Sequence, residues 1–69
     1  MDIGFELYKA RLNRDISQTD LAKKSGVSQN TLSRIEHKKI IPSYRIMEKI
    51  AKALDLELIV ELVEKKDTP

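Results

Sequence analysis

Residues Ser17 to Glu36, SQTDLAKKSGVSQNTLSRIE, constrain the chain more than any other stretch. Two short helices joined by a tight turn fit this pattern. Ser17 is a good N-cap, with Asp20 three residues on as a weaker capping-box acid. Leu21 and Ala22 supply an inward stripe for the first helix. Gly26 stands where that helix must stop, because a residue without Cβ enters the left-handed region at little cost. Val27 is the apolar residue of the turn. Ser28 caps a second helix whose inward residues are Leu32 and Ile35. Its other face carries Gln29, Asn30, Thr31, Ser33 and Arg34, with no acid before Glu36. Amide, hydroxyl and guanidinium groups of this kind suit base edges and phosphates. The plainer reading is a helical hairpin with a solvated polar face.

This order and spacing resembles the helix-turn-helix of the lambda-repressor/Cro-like (XRE-type) family of DNA-binding proteins. The resemblance runs from about Leu7 to Leu54. It rests on Ser17-Gln18, Leu21-Ala22, Gly26-Val27-Ser28, Thr31-Leu32-Ser33, Ile35-Glu36, Pro42-Ser43 and Ile50-Ala51-Lys52-Ala53-Leu54 taken together. It implies a mainly α fold: a four-helix lambda-repressor-like domain over residues 1–54. On the first helix, about Gly4 to Asn13, Arg11 read alone is a solvated side chain; the resemblance instead pairs it with Glu36. Two positions depart from the family's usual glycine, Asp15 in the first turn and Lys38 after the recognition helix. Aspartate tolerates the left-handed region better than most residues. Ile16 anchors the entry to helix 2 as a hydrophobic staple would.

Net charge supports a nucleic-acid surface on one part of the chain only. Residues 1–54 hold 11 Lys/Arg against 6 Asp/Glu, a balance of +5, and residues 55–69 hold 2 against 5, a balance of −3. The basic part coincides with the helix-turn-helix, as counterion displacement from phosphates requires. Double-stranded DNA is the implied partner. Gln29, Asn30, Thr31, Ser33 and Arg34 are the candidate base readers. Gln18 and Ser28, placed as the family's phosphate-binding groups are, join His37, Lys38 and Lys39 as candidate phosphate contacts.

Beyond the recognition helix, Ile40 and Ile41 are unusually apolar for a loop and could cover the core or join a protein interface. Ser43 caps helix 4 behind Pro42. Tyr44, Met47, Ile50, Ala51 and Leu54 recur at helical spacing and should face the core. Ile46 lies off that stripe and is a candidate dimer contact. After Leu54 the period changes. Leu56, Leu58, Val60 and Leu62 alternate with Glu57, Ile59, Glu61 and Val63, which predicts a β-strand over 55–64, with continuation of helix 4 as the competing reading. One strand cannot satisfy its own backbone, and no other stretch looks like its partner. Pairing with the same strand of a second subunit across a two-fold axis is the economical answer, which makes Leu56, Leu58, Val60 and Leu62 dimer residues. A helix-turn-helix followed directly by such a strand is similar to a family subgroup that includes antitoxins, which would add a toxin protein as a partner. Residues 65–69 form a short polar tail.

Other classes fit poorly. The chain has 69 residues, one histidine and no cysteine, so it offers no disulfide, thiolate metal site or Ser-His-Asp arrangement. No catalytic residue, metal or cofactor is implied, and an enzyme is not expected. No apolar run approaches the roughly 20 residues that span a bilayer, and no signal peptide is visible, so a cytoplasmic protein is expected. The function that follows is a sequence-specific repressor binding a palindromic operator as a dimer. The alternative is an interaction adaptor that keeps the fold without reading DNA.

Overall fold

The computed structural model describes residues 2–64. It contains four helices in chain order: α1 (Ile3–Asn13), α2 (Gln18–Ser25), α3 (Gln29–Glu36) and α4 (Tyr44–Ala53). Each begins in the same way. Asp2, Ser17, Ser28 and Ser43 stand at the N-caps, and each side-chain oxygen accepts the N–H three residues on, at 3.0–3.2 Å. That bond satisfies one of the four amides a helix start leaves open.

The helix ends share a device too. Asp15, Gly26, Lys38 and Asp55 all have φ between 54° and 75°, in the left-handed region. At α1, α3 and α4 two backbone bonds close the end. The left-handed residue donates to the carbonyl three before it, and the next residue to the carbonyl five before it: Asp15 to Leu12 and Ile16 to Arg11, Lys38 to Ile35 and Lys39 to Arg34, Asp55 to Lys52 and Leu56 to Ala51. These are Schellman closures. Asp15 and Lys38 thus occupy the backbone conformation that glycine would adopt there, and Asp55 adds a third such site not foreseen from sequence. The left-handed turn at Asp55 also stops α4, so helix 4 does not continue into the following segment.

α2 packs on α3 and α4, and α1 packs on α3. Leu7, Leu21, Val27, Leu32, Ile35, Ile50 and Leu54 form the buried cluster between them. Gly4 sits where α1 crosses the end of α3. A Cβ there would fall on the Ile35 carbonyl oxygen, so only glycine allows the approach.

Two expectations for α4 change. Tyr44 does not face the core but is 51% exposed, whereas Ile46 is partly buried against the core cluster. At about 100° per residue, Ile46 lies closer than Tyr44 to the direction of Ile50 and Leu54. On α1, Leu12 and Phe5 are likewise exposed.

The segment after α4 is the larger departure. Among the described residues there is no strand, and Leu56–Glu64 has no regular secondary structure. Leu58 is half-buried, while Leu56, Val60 and Leu62 are exposed, as are Ile59 and Val63 on the alternate face. No backbone hydrogen bond among the described residues involves residues 57–64. A strand exists only through its partner's ladder, and the described residues hold no second extended segment to supply one. The tail assigned to residues 65–69 lies outside the described residues.

Candidate nucleic-acid interface

The site is assembled around Glu36, the last residue of α3. Arg11 of α1 meets it in a two-pronged pair: Nε donates to Oε2 at 2.7 Å and Nη2 to Oε1 at 2.9 Å. Arg11 Nη1 donates to the Ile16 carbonyl at 2.8 Å, and the Tyr8 ring centroid lies 5.5 Å from the guanidinium carbon. Arg11 is only 8% exposed, so its charge is compensated almost wholly inside the protein. Glu36 Oε1 also accepts from Gln18 Nε2 at 2.9 Å. Burial pushes the Glu36 carboxyl up, but the hydrogen bonds from Arg11 and Gln18 outweigh it and hold it below its ordinary value. The Arg11 guanidinium is held above its ordinary value, chiefly by its hydrogen bonds to Glu36, against the opposing effect of burial. The pair inferred for Arg11 and Glu36 is therefore present, with Gln18 as a third member. One buried carboxylate ties α1, the start of α2 and the end of α3 together.

On α3 the base-reading candidates separate into two groups. Gln29, Asn30 and Arg34 are exposed, and take part in no side-chain hydrogen bond or ion pair among the described residues. With Ser33 they lie within an arc of about 140° of the helix surface. Thr31 and Ser33 are half-buried. The Thr31 hydroxyl accepts from Ser28 Oγ at 2.8 Å, so it is already engaged at the helix start.

The phosphate candidates are dispersed more widely. Ser28 sits at the N-cap of α3, its oxygen occupied by the Thr31 N–H. His37 caps the other end, its Nδ1 donating to the Ser33 carbonyl at 2.8 Å. Lys38 turns toward α1, with Nζ 2.8 Å from Asp2 Oδ2. Its hydrogen bond to Asp2, with that from the Phe5 N–H, holds the Asp2 carboxyl below its ordinary value. Lys39 is exposed and makes no ion pair among the described residues. The Asp2–Lys38 contact, the Tyr8 stacking and the demand for glycine at position 4 carry no sequence signal of their own, since each depends on how α1 crosses α3.

Two short helices, a glycine-closed turn and a polar outer face on the second make this a helix-turn-helix domain by geometry. A family model described as helix-turn-helix matches residues 7–60, which is 54 of the 69 residues. The chain therefore belongs to the lambda-repressor/Cro-like (XRE-type) helix-turn-helix family, a family of DNA-binding regulators rather than enzymes. No curated protein and no solved structure shows a significant match to it. No helix among the described residues is long and apolar enough to cross a membrane.

Proposed function

We propose that this DNA-binding regulator is a repressor that reads a palindromic operator as a homodimer in the cytoplasm. The observation that carries the reading is the state of Gln29, Asn30 and Arg34. They are exposed side by side on α3 with no partner among the described residues, while the groups around them are committed to holding that helix in place. Gln29 and Asn30 suit adenine and Arg34 suits guanine in the major groove. Gln18 donates one amide hydrogen to Glu36, and its second suits a phosphate oxygen, which can only accept. Ser28, Thr31, Ser33, His37, Lys38 and Lys39 complete the proposed contact surface. Leu56, Leu58, Val60 and Leu62 join two copies through paired strands, with Ile46 at the edge.

The test is replacement of Gln29, Asn30 or Arg34 by Ala, followed by binding to the preferred site and to its single-base variants. Each should cost on the order of 1–3 kcal/mol and relax preference at one position. Equal loss on every DNA would make the residue a phosphate contact instead. An adaptor that does not read DNA would show no preference to lose.

One observation favours an added role as an antitoxin that also binds a toxin protein. Phe5, Tyr8 and Leu12 recur on the outward face of α1 and are all exposed. An apolar stripe of that kind is suited to a protein partner. Phe5→Ser with Leu12→Ser should abolish capture of the neighbouring gene's product and leave DNA binding unchanged.

A further inference from the structure

The segment after α4 borders an apolar groove. Ile3, Ile41 and Met47 line it, together with Leu58, Ile59, Val60 and Glu61 of the segment itself. Ile41 is 91% exposed and Leu62 fully exposed, so neither is covered within the chain. An occupant that lies along Leu58–Val60 must bring extended backbone, because residues 57–64 have no backbone partner among the described residues. The same segment of a second copy brings it.

Two copies of one strand paired antiparallel are related by an axis perpendicular to the ribbon. Facing residues must point to the same side, so the axis passes through one residue and its own copy. The acids then choose among registers, since like charges placed opposite each other destabilise a pair. An axis at Ile59 sets Glu57 against Glu61 twice. An axis at Glu61 or Glu57 sets that residue against itself, and an axis at Leu58 pairs only Leu56 to Val60, because Leu54 and Asp55 belong to the turn that ends α4 and leave Leu62 with nothing to face. An axis at Val60 sets no acid against another. It faces Glu57 with Val63, Ile59 with Glu61 and Leu56 with Glu64, and it pairs the whole span from Leu56 to Glu64. An axis at Leu62 leaves Leu56 and Leu58 unpaired inside that span.

We infer that the two copies pair in the register centred on Val60, with the partner's Leu62 facing Leu58 and seated over the groove of Ile3, Ile41 and Met47. This rests on the dimer proposed above. It makes the start of α1 and the loop before α4 part of the interface, and it explains why Ile41 is apolar and uncovered.

The chain has no cysteine, so single cysteines report the register against a clean background. Ile59→Cys, Val60→Cys and Glu61→Cys are oxidised in turn in the full chain. Facing residues lie about 4.5–5.5 Å apart, within disulfide reach. Copies displaced by two positions lie about 7–8 Å apart, which is beyond it. Val60→Cys should form a covalent dimer, Ile59→Cys and Glu61→Cys should not, and a mixture of Leu58→Cys with Leu62→Cys should cross-link to each other. Cross-linking at 59 or 61 instead overturns the register. Sedimentation of the unsubstituted chain separates the two readings: a monomer overturns the dimer itself, whereas a dimer with no cross-link at any of these positions overturns the strand pairing alone. Ile41→Glu, on an exposed residue, should raise the dimer dissociation constant at least tenfold, and an unchanged constant removes the groove from the interface.

Discussion

The helical body from Asp2 to Leu54 and the segment from Asp55 to Glu64 are both rich in aliphatic residues, yet they treat them in opposite ways. In the body, Leu21, Leu32, Ile35, Ile50 and Leu54 are each 1–2% exposed. In the segment, Ile59, Val60, Leu62 and Val63 all stand in solvent. Length does not separate them so much as period. Apolar residues at helical spacing give each short helix one stripe, and four such helices cover one another within a single chain. Apolar residues at period two need a neighbouring strand, and the body offers none. The first region completes itself, whereas the second leaves its apolar residues exposed, and the dimer proposed above is what would cover them.

The largest expected effect comes from breaking the second region while sparing the first. Val60→Asp should give a monomer with unchanged helix content. Its affinity for a full palindrome should fall on the order of 10²–10⁴-fold, the usual loss when two linked contacts become one, while a single half-site binds as before. A variant that stays dimeric by sedimentation would move the interface to Ile40, Ile41 and Ile46.

Next is the joint inside the body. Glu36→Ala leaves the Arg11 charge buried without its partner, and should cost about 3–5 kcal/mol in urea unfolding. Arg11→Met combined with Glu36→Leu should recover much of that stability, because the uncompensated charge is gone. The double variant should still bind DNA less well than the parent, since Gln18 loses the acceptor that orients it. Full recovery of binding would show that Gln18 needs no such support.

The same carboxylate sets an acid limit. Its folded-state value lies below the unfolded one, so its contribution is complete above the ordinary glutamate range, about 4.3, and is lost as pH falls through the lowered value. Unfolding followed from pH 6 to pH 2 should show a loss that is absent in Glu36→Gln. Parallel pH curves for the two proteins would assign acid sensitivity to other carboxylates.

The smallest effect concerns Lys38. Glycine removes the steric cost of φ 60° at that position and sacrifices only an exposed ion pair with Asp2. Lys38→Gly should therefore stabilise the domain by up to about 1 kcal/mol, read as a shift in the denaturant midpoint. A decrease would mean that the Asp2 contact outweighs the strain.

Most of the body was legible in the sequence because its signals are local. The serine caps, Gly26 and the spacing of Leu21, Val27, Leu32 and Ile35 each act within a few residues. So does the tolerance of Asp15 for a left-handed turn. What was not legible depends on how helices cross. Gly4 reads as an ordinary early helix residue until the Ile35 carbonyl is seen against it, and Tyr44 fits a helical stripe by spacing but lies at its edge once α4 is placed. From sequence Gln18 suits a phosphate contact, and its bond to Glu36 appears only when α2 meets α3. The period-two segment was legible as a pattern, but a strand is a property of two segments, and the described residues supply one.

In the function proposed above, two copies of α3, held at a fixed distance, read DNA in the major groove. Selection of bound sequences from a random duplex pool by the intact protein tests it most directly. The expected result is an inverted repeat whose half-sites are centred about one helical turn, 10–10.5 base pairs, or a multiple of that apart. Enrichment of a single asymmetric motif would contradict the paired arrangement, and no enrichment at all would contradict the reading of DNA by α3.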